Sequence, residues 1–332
     1  MSQAVFGPSA KAAFGNEGEM FVQLNRRALQ LVDALESRSI ECRVEILRSS
    51  QGSRLIDAGA RAPGSLQAGL MLSRICMADL AEISLGYGQW GPEIQVWSDY
   101  PAAACLASQY AGWRLHSDHF FGMGSGPMRA AAGGEELFDR IGFREQAKAV
   151  VGVIETRQKP TDEIIERIAQ ACQVEAGAVT LLFAPTASLA GAMQIVARSM
   201  ETALHKMLVL GFDCKQIVAG QGIAPLPPVG SNDLLMIGRT NDAILYGSHV
   251  TLWVQSDDEF IQELGPRIPS QASPDHGVPF AELFARVHHD FYKIDPLLFS
   301  PAIITMVNMT SGRAHTFGKF ETDIMQASFF TL

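Results

Sequence analysis

The sequence predicts an α/β protein with mixed sheets, and three observations predict it. Short apolar runs such as AKAVVGVIE, residues 147–155, have the length and composition of strands covered on both faces. Segments with apolar residues at helical spacing stand between such runs, as at 161–172. Strands and helices therefore interleave along the chain, with no repeat of solenoid period.

Residues 1–18 are small, polar and aperiodic, and are expected to form a flexible N-terminal tail. From Met20, the residues Val22, Ala28, Leu29, Leu31, Val32 and Leu35 recur at helical spacing; Cys42, Val44 and Ile46 then alternate with charged residues as in a half-buried strand. Gln51-Gly52-Ser53 predicts a turn into a partner strand over 55–57, followed by a helix over 65–80 and a short strand around Val96. Residues 101–112 read as a helix closed by Gly112. After the strand over 147–155 come a helix over 161–172, a strand over 179–183, one long helix over 188–210 and a strand over 243–254. A helix over 280–287 and strands over 303–307 and 314–317 complete the series. A length of 332 residues suits two domains or one large one. The best boundary candidates are Gly133-Gly134-Glu135-Glu136 and residues 157–160, and a division at 155 gives α/β domains over 19–155 and 156–332.

Composition narrows the function classes. Twenty-six basic against 35 acidic residues give a net charge of -9, which opposes delocalised attraction to nucleic acid or an anionic membrane. Any anionic ligand must then be held locally. The five cysteines are odd in number, far apart and never in a Cys-x-x-Cys arrangement, so zinc ribbons and disulfide frameworks are poorly supported. The N-terminus lacks a charged start followed by an apolar core, and no stretch of about 18 apolar residues occurs, so a cytoplasmic protein is expected.

Four segments concentrate polar chemistry. In HFFGMGSGPMRA, residues 119–130, Gly122, Gly124 and Gly126 alternate with Ser125 among them and Arg129 after. Either this is an anion cradle that grips phosphate or carboxylate, or it is a glycine-rich turn. In LLFAPTASLAGAMQIVARSMETALHKM, residues 181–207, an apolar strand runs into Thr186 and Ser188, either of which can cap the next helix. Along that helix Gln194, Arg198, Glu201 and His205 form one polar stripe, either a solvated face with an ordinary ion pair or a ligand site beyond a strand end. The third segment, residues 222–247, has the prolines and glycines of a long extended loop and brings Arg239, Asn241 and Asp242 together before an apolar strand. The fourth, HHDFYKIDPLLFSPA, sets His288, His289 and Asp290 side by side with Lys293 close after. Neither that cluster nor His116-Ser117-Asp118-His119 has the spacing of a metal site, so no metal is expected.

In this order and at these separations, FFGMGSGPMRA, APTASLAGAMQIVARSMETALHKM, GRTNDAILYG and FYKIDPLLFSPA closely resemble the methenyltetrahydromethanopterin cyclohydrolases, from about Gly18 to the C-terminus. The resemblance implies two α/β domains with a pterin site in the cleft between them. It also implies a homo-oligomer, typically a trimer, and no metal or redox cofactor, the tetrahydromethanopterin derivative being the substrate. The implied reaction interconverts the methenyl-tetrahydromethanopterin cation plus water with 5-formyl-tetrahydromethanopterin in one-carbon metabolism. The family's catalytic arginine and glutamate fall on Arg198 and Glu201. By motif position Gly124, Ser125, Gly126, Arg129, Arg239 and Lys293 are expected to bind the substrate, with Thr186, Ser188, Asn241 and Asp242 as further polar contacts. Leu297, Leu298 and Ser300 depart from the ending associated with archaeal members, which touches the shape of the pocket rather than the reaction. For Glu201, burial would raise the carboxyl pKa and the guanidinium would lower it, and sequence leaves the balance open. Competing readings are a non-catalytic pterin-binding protein, a folate cyclohydrolase and a metal-dependent hydrolase built on His288–Asp290.

Overall fold

The computed structural model describes residues 22–330, so the expected tail over 1–18 and the predicted helix start at Met20 lie outside the described residues. The chain begins with α1 (Leu24–Ser37), α2 (Ser39–Cys42), β1 (Glu45–Arg48), β2 (Arg54–Asp57), α3 (Leu66–Cys76), β3 (Glu82–Gly88) and β4 (Gly91–Ser98). A π-helical segment, Ala102–Gln109, leads to β5 (Trp113–Ser117), β6 (Phe120–Ser125), α4 (Met128–Ala132), α5 (Glu136–Ile141) and β7 (Val150–Glu155). Then follow α6 (Asp162–Cys172), β8 (Val179–Ala184), α7 (Leu189–Val196), α8 (Ser199–Val209), β9 (Ile217–Pro225), α9 (Asp233–Leu245) and β10 (His249–Val254). The last elements are α10 (Asp258–Leu264), α11 (Phe280–Arg286), β11 (Ile303–Asn308), β12 (Arg313–Gly318) and α12 (Thr322–Phe330).

The strands form two mixed six-stranded sheets, as the expected α/β class requires: β1-β2-β8-β7-β6-β5 and β12-β11-β10-β9-β4-β3. In the first sheet β2, β8 and β7 run parallel, and the strands outside them are antiparallel. Strand periodicity sends Val151, Val153, Leu182 and Ala184 to the face covered by α1 and α3. Val150, Ile154, Leu181 and Phe183 go to the face covered by α4 and α6. Burial on both faces explains why residues 147–155 read as an unbroken apolar run. Among the described residues the second sheet is covered on one face, by the largest core, so β10 and β11 alternate strictly between buried and half-buried residues.

The chain passes between the sheets three times. After β2, α3 carries it to the second sheet; after β4, the π-helix returns it to the first; after β8, α7 and α8 carry it over again. The division expected at 155 therefore does not separate the sheets. β3 and β4, before that position, belong to the second sheet, and β8, after it, belongs to the first.

Four local expectations need correction. The helix over 188–210 is two helices, α7 and α8, broken at Ala197 and Arg198. The helix over 101–112 is π-helical and ends at Gln109, where the Tyr110 N–H donates to the Cys105 carbonyl five residues back. The glycine segment over 119–130 is not a loop: Gly122 and Gly124 lie inside β6, where a Cβ on Gly124 would meet Met128 and Leu115 at 2.9 and 3.1 Å. The extended loop expected over 222–247 holds α9, capped by the Asn232 side chain, which accepts from Leu235 N–H at 3.1 Å. Thr240 and Asn241 hid that helix because such residues favour turns. Here each bonds a carbonyl one turn back, Thr240 Oγ1 to Met236 and Asn241 Nδ2 to Ile237.

Candidate active site

The three connections between the sheets converge on Arg198. Its guanidinium donates through Nη1 to the Gln109 carbonyl at the end of the π-helix, at 2.5 Å. Through Nη2 it donates to Gln194 Oε1 on α7 at 2.7 Å and to Ser125 Oγ on β6 at 3.1 Å, and it lies 3.8 Å from Cys76 Sγ at the end of α3. The Ser125 hydroxyl in turn donates to the Val153 carbonyl at 3.0 Å, so a central strand fixes the acceptor. The break between α7 and α8 belongs to the same arrangement: the Ala197 carbonyl there accepts from Gln109 Nε2 at 3.2 Å. Four elements thus set the guanidinium plane. Gln109 Oε1, in a residue with no exposed surface, has no hydrogen-bond partner among the described residues.

Glu201 stands one turn further on, in the first turn of α8 and 5% exposed. Its Oε2 is 3.9 Å from Arg198 Nη1, a charge contact too long for a hydrogen bond. Burial pushes its carboxyl pKa up to about 7, with Arg198 and then Arg129 pulling the other way. Burial wins the contest that sequence left open, and the acid is poised near neutrality, where one group exchanges a proton in both directions most readily. His205, next on the stripe, stacks on Tyr110 with ring centroids 4.5 Å apart. Burial first, then Arg140 and Arg129, lower its pKa to about 4, so this imidazole is neutral at pH 7.

The other residues singled out from sequence divide into those the fold gathers around Arg198 and those it does not. Ser125 touches Arg198 directly. Gly126, at φ +91°, turns the chain out of β6 and presents its N–H to the Ser108 carbonyl at 2.8 Å; a Cβ there would press on Val153 N at 3.3 Å. Arg129 is wholly buried with its donors taken. Nε and Nη2 grip Glu135 at 2.8 and 2.7 Å, Nη1 donates to the Leu106 and Ser108 carbonyls, and the group lies over the rings of Tyr110 and Phe138. Its place is the C-terminal end of the π-helix, whose free carbonyls attract a cation. Ser188 caps α7 by accepting from Gly191 N–H at 3.0 Å, and Thr186 donates to Glu155.

Arg239 donates to the carbonyls of Ser328 and Pro228, and Asp242 accepts from Phe280 N–H and Ser328 Oγ. Asn241 is bonded inside α9, and Arg239 and Asp242 fasten that helix to its neighbours α11 and α12. Lys293 is exposed and 3.7 Å from Asp290. His288 and His289 have left-handed backbone, and the Asp290 carboxylate caps the following turn, so the cluster is a tight turn. Among the described residues no three His, Cys, Asp or Glu side chains gather as a metal-ligand set.

Sequence reasoning missed Gln109, Cys76, Tyr110 and Glu155. Glu155 had a signal: it is a lone carboxylate closing the apolar run of β7, at the strand end where α/β sheets place ligands. The others reach Arg198 and its neighbours only through tertiary folding.

A buried acid beside a fixed guanidinium in a mixed α/β fold is an arrangement that acid–base enzymes use. The chain belongs to the cyclohydrolase family: the family model described as Cyclohydrolase (MCH) matches residues 23–329. A methenyltetrahydromethanopterin cyclohydrolase of Methylobacillus flagellatus is 41% identical over 314 residues, covering 93% of this chain and 96% of its own. One of Methylobacterium sp. (strain 4-46) is 42% identical, covering 92% and 97%. The likeness extends to archaea, where a protein of the same name from Methanococcoides burtonii is 38% identical, covering 93% and 98%.

Proposed function

We propose that this protein reversibly hydrolyses the 5,10-methenyl-tetrahydromethanopterin cation to 5-formyl-tetrahydromethanopterin, a step of one-carbon metabolism, with Glu201 moving the protons and Arg198 positioning it. The observation that carries the reading is the buried Glu201 carboxyl, near neutrality and 3.9 Å from a guanidinium held by three other elements. The methenyl carbon lies between two nitrogens and carries delocalised positive charge, so it is electrophilic without a Lewis acid. Water oxygen bonds to that carbon as Glu201 takes one water proton, leaving a neutral carbinol bridged between the two nitrogens. Glu201 returns the proton to the aryl nitrogen as the carbon–nitrogen bond to it breaks. The remaining hydroxyl loses its proton and becomes the formyl carbonyl on nitrogen 5, so one proton is released overall. Gln194, Ser125 and the Gln109 carbonyl keep the guanidinium from turning away during the cycle.

The expected test is Glu201→Gln in the full-length chain, followed by loss of the methenyl chromophore. Turnover should fall by about a hundred-fold or more while pterin affinity stays within a few-fold; near-normal turnover would remove Glu201 from this role. A parallel assay on the folate cation decides the carrier, and activity surviving a chelator supports metal-free chemistry. Among the described residues no helix is long and apolar enough to cross a membrane. We place the enzyme in the cytoplasm as a homotrimer. The half-exposed face of the second sheet, where Trp97 and Met309 stand out, offers a self-association surface, and light scattering on the purified chain measures the stoichiometry.

A further inference from the structure

Two glycines stand on the covered face of a central strand, and the mechanism leaves them unexplained. β9 lies between β4 and β10 in the second sheet, with Gly220, Gly222 and Ala224 on its buried side. Their neighbours across the ladder are bulky: Gly222 pairs with Val96 and Val250, and Gly220 with Leu252. Glycine in a strand interior weakens the strand and packs nothing, so two on one face mark a place where another element comes close. That element is the start of α8. A Cβ on Gly222 would lie 2.5 Å from Ser199 Oγ and 3.1 Å from Met200 N, and one on Gly220 would lie 2.5 Å from Met200 Sδ. Ser199 and Met200 have no exposed surface, so neither can yield toward solvent. The Ser199 hydroxyl has no hydrogen-bond partner among the described residues, so its contact with the bare backbone of β9 is steric rather than polar. Met200 N belongs to the helix backbone and moves only if the helix does.

The two residues seated on β9 are the two that separate Arg198 from Glu201 in the chain. The guanidinium is fixed from the other side of the molecule, by Ser125 of the first sheet, Gln194 of α7 and the end of the π-helix. The carboxyl rides on α8, whose first turn rests on the second sheet. The 3.9 Å between them is therefore a gap between groups anchored on different sheets. Close-packed interiors transmit a displacement at one contact to the next, and a reacting group is sensitive to shifts below 1 Å. Resting on the functional reading above, we propose that Gly222 is a positioning residue for the acid: its missing side chain sets how closely α8 seats on β9, and through that seat the gap between Glu201 and Arg198. Gly222 acts through Ser199 and Met200 and touches neither member of the pair.

The test changes one contact from both sides in the full-length chain. Gly222→Ala, Ser199→Ala and the double variant are compared with the unchanged enzyme for kcat, KM, the pH at half-maximal rate and the urea midpoint. Gly222→Ala should lower kcat about ten- to hundred-fold with KM within about three-fold, because misplacement of the acid acts on the chemical step. The pH at half-maximal rate should move by about 0.3 unit or more as the charge contact with Arg198 changes length. Ser199→Ala removes the atom that the new Cβ strikes, so the double variant should recover most of the lost rate and the original pH midpoint, an interaction beyond the sum of the single changes. A Gly222→Ala protein with a lowered urea midpoint but unchanged kcat and pH midpoint would reduce Gly222 to packing and overturn the proposal. So would a double variant no faster than Gly222→Ala. If Gly222→Ala does not fold, Ser199→Thr, which adds a methyl group on the helix side of the same contact, carries the same expectations. If the unchanged enzyme consumes no methenyl cation, the functional reading itself has failed; the seat is then judged by whether Ser199→Ala restores the urea midpoint that Gly222→Ala lowers.

Discussion

The chemistry of a single residue depends here on two opposed effects of its surroundings. Glu201 lies in a setting dry enough to raise its carboxyl to about 7, and Arg198 holds it below where burial alone would put it. A general base must be ionised, so the hydrolysis rate should climb with pH along a limb centred near 7 and level off above it. Replacing Arg198 with Gln removes the largest pull downward, and the limb should move to higher pH as well as lower in height. Arg198→Lys keeps a charge but loses the planar fork that reaches Gln109, Gln194 and Ser125 together, so activity should fall while the limb moves less than in the Gln variant. Initial rates from pH 5.5 to 9 check both; a limb fixed in place in Arg198→Gln would separate the arginine from the acid's titration.

Among the elements, the π-helix has the most consequential position. Its end leaves the carbonyls of Leu106, Ser108 and Gln109 outside the helix's own bonding, and two arginines take them, Arg129 for structure and Arg198 for the site. Arg129→Met should therefore act on stability: with the Glu135 pair broken and buried carbonyls unsatisfied, the loss should approach about 3–5 kcal/mol in chemical denaturation, with pterin KM little changed. A normal midpoint with a raised KM would return Arg129 to substrate binding. The same element shows where sequence legibility ends. Glu201 and Arg198 were visible because they lie three apart in a segment with helical spacing, although Arg198 stands at the break before α8, and β7 and β8 were visible because burial on both faces leaves an unmistakable apolar run. Gln109 and Cys76 were not, since they meet Arg198 across 89 and 122 residues of chain. Glycines inside β6 looked like a loop because their absent side chains make room for Met128 and Leu115, a packing requirement that single-chain periodicity does not carry. In α9, side chains that bond their own backbone concealed a helix as a turn.

At the scale of the molecule, a half-buried carboxyl, Glu145, and a buried one, Asp242, give the fold a shared response to pH. Glu145 accepts from the backbone N–H and side chain of Asn25, whose own oxygen takes the Val151 N–H, so this group ties α1 to β7 in the first sheet's layer. Asp242 joins α9 to α11 and α12 in the second sheet's layer, through Phe280 N–H at 2.7 Å and Ser328 Oγ at 2.6 Å. Burial is the leading cause in both and raises each to about 7 against the hydrogen bonds that oppose it. An acid whose folded pKa lies above its unfolded one binds protons more tightly in the native state. Unfolding free energy therefore falls as pH rises from the unfolded values near 4 toward 7 and flattens above. For Asp242, which is 1% exposed, that fall is bounded at roughly 4 kcal/mol, and water reaching the group reduces it. Asn at 242 mimics the protonated acid, accepting from Phe280 and donating to Ser328, so Asp242→Asn should flatten the decline and raise stability at pH 8 with little effect at pH 5. Urea denaturation of the unchanged chain, Asp242→Asn and Glu145→Gln at pH 5, 6.5 and 8 measures the slopes. Parallel slopes in all three proteins would show that these carboxyls ionise alike in the folded and unfolded chain, whereas the packing around them requires that they do not.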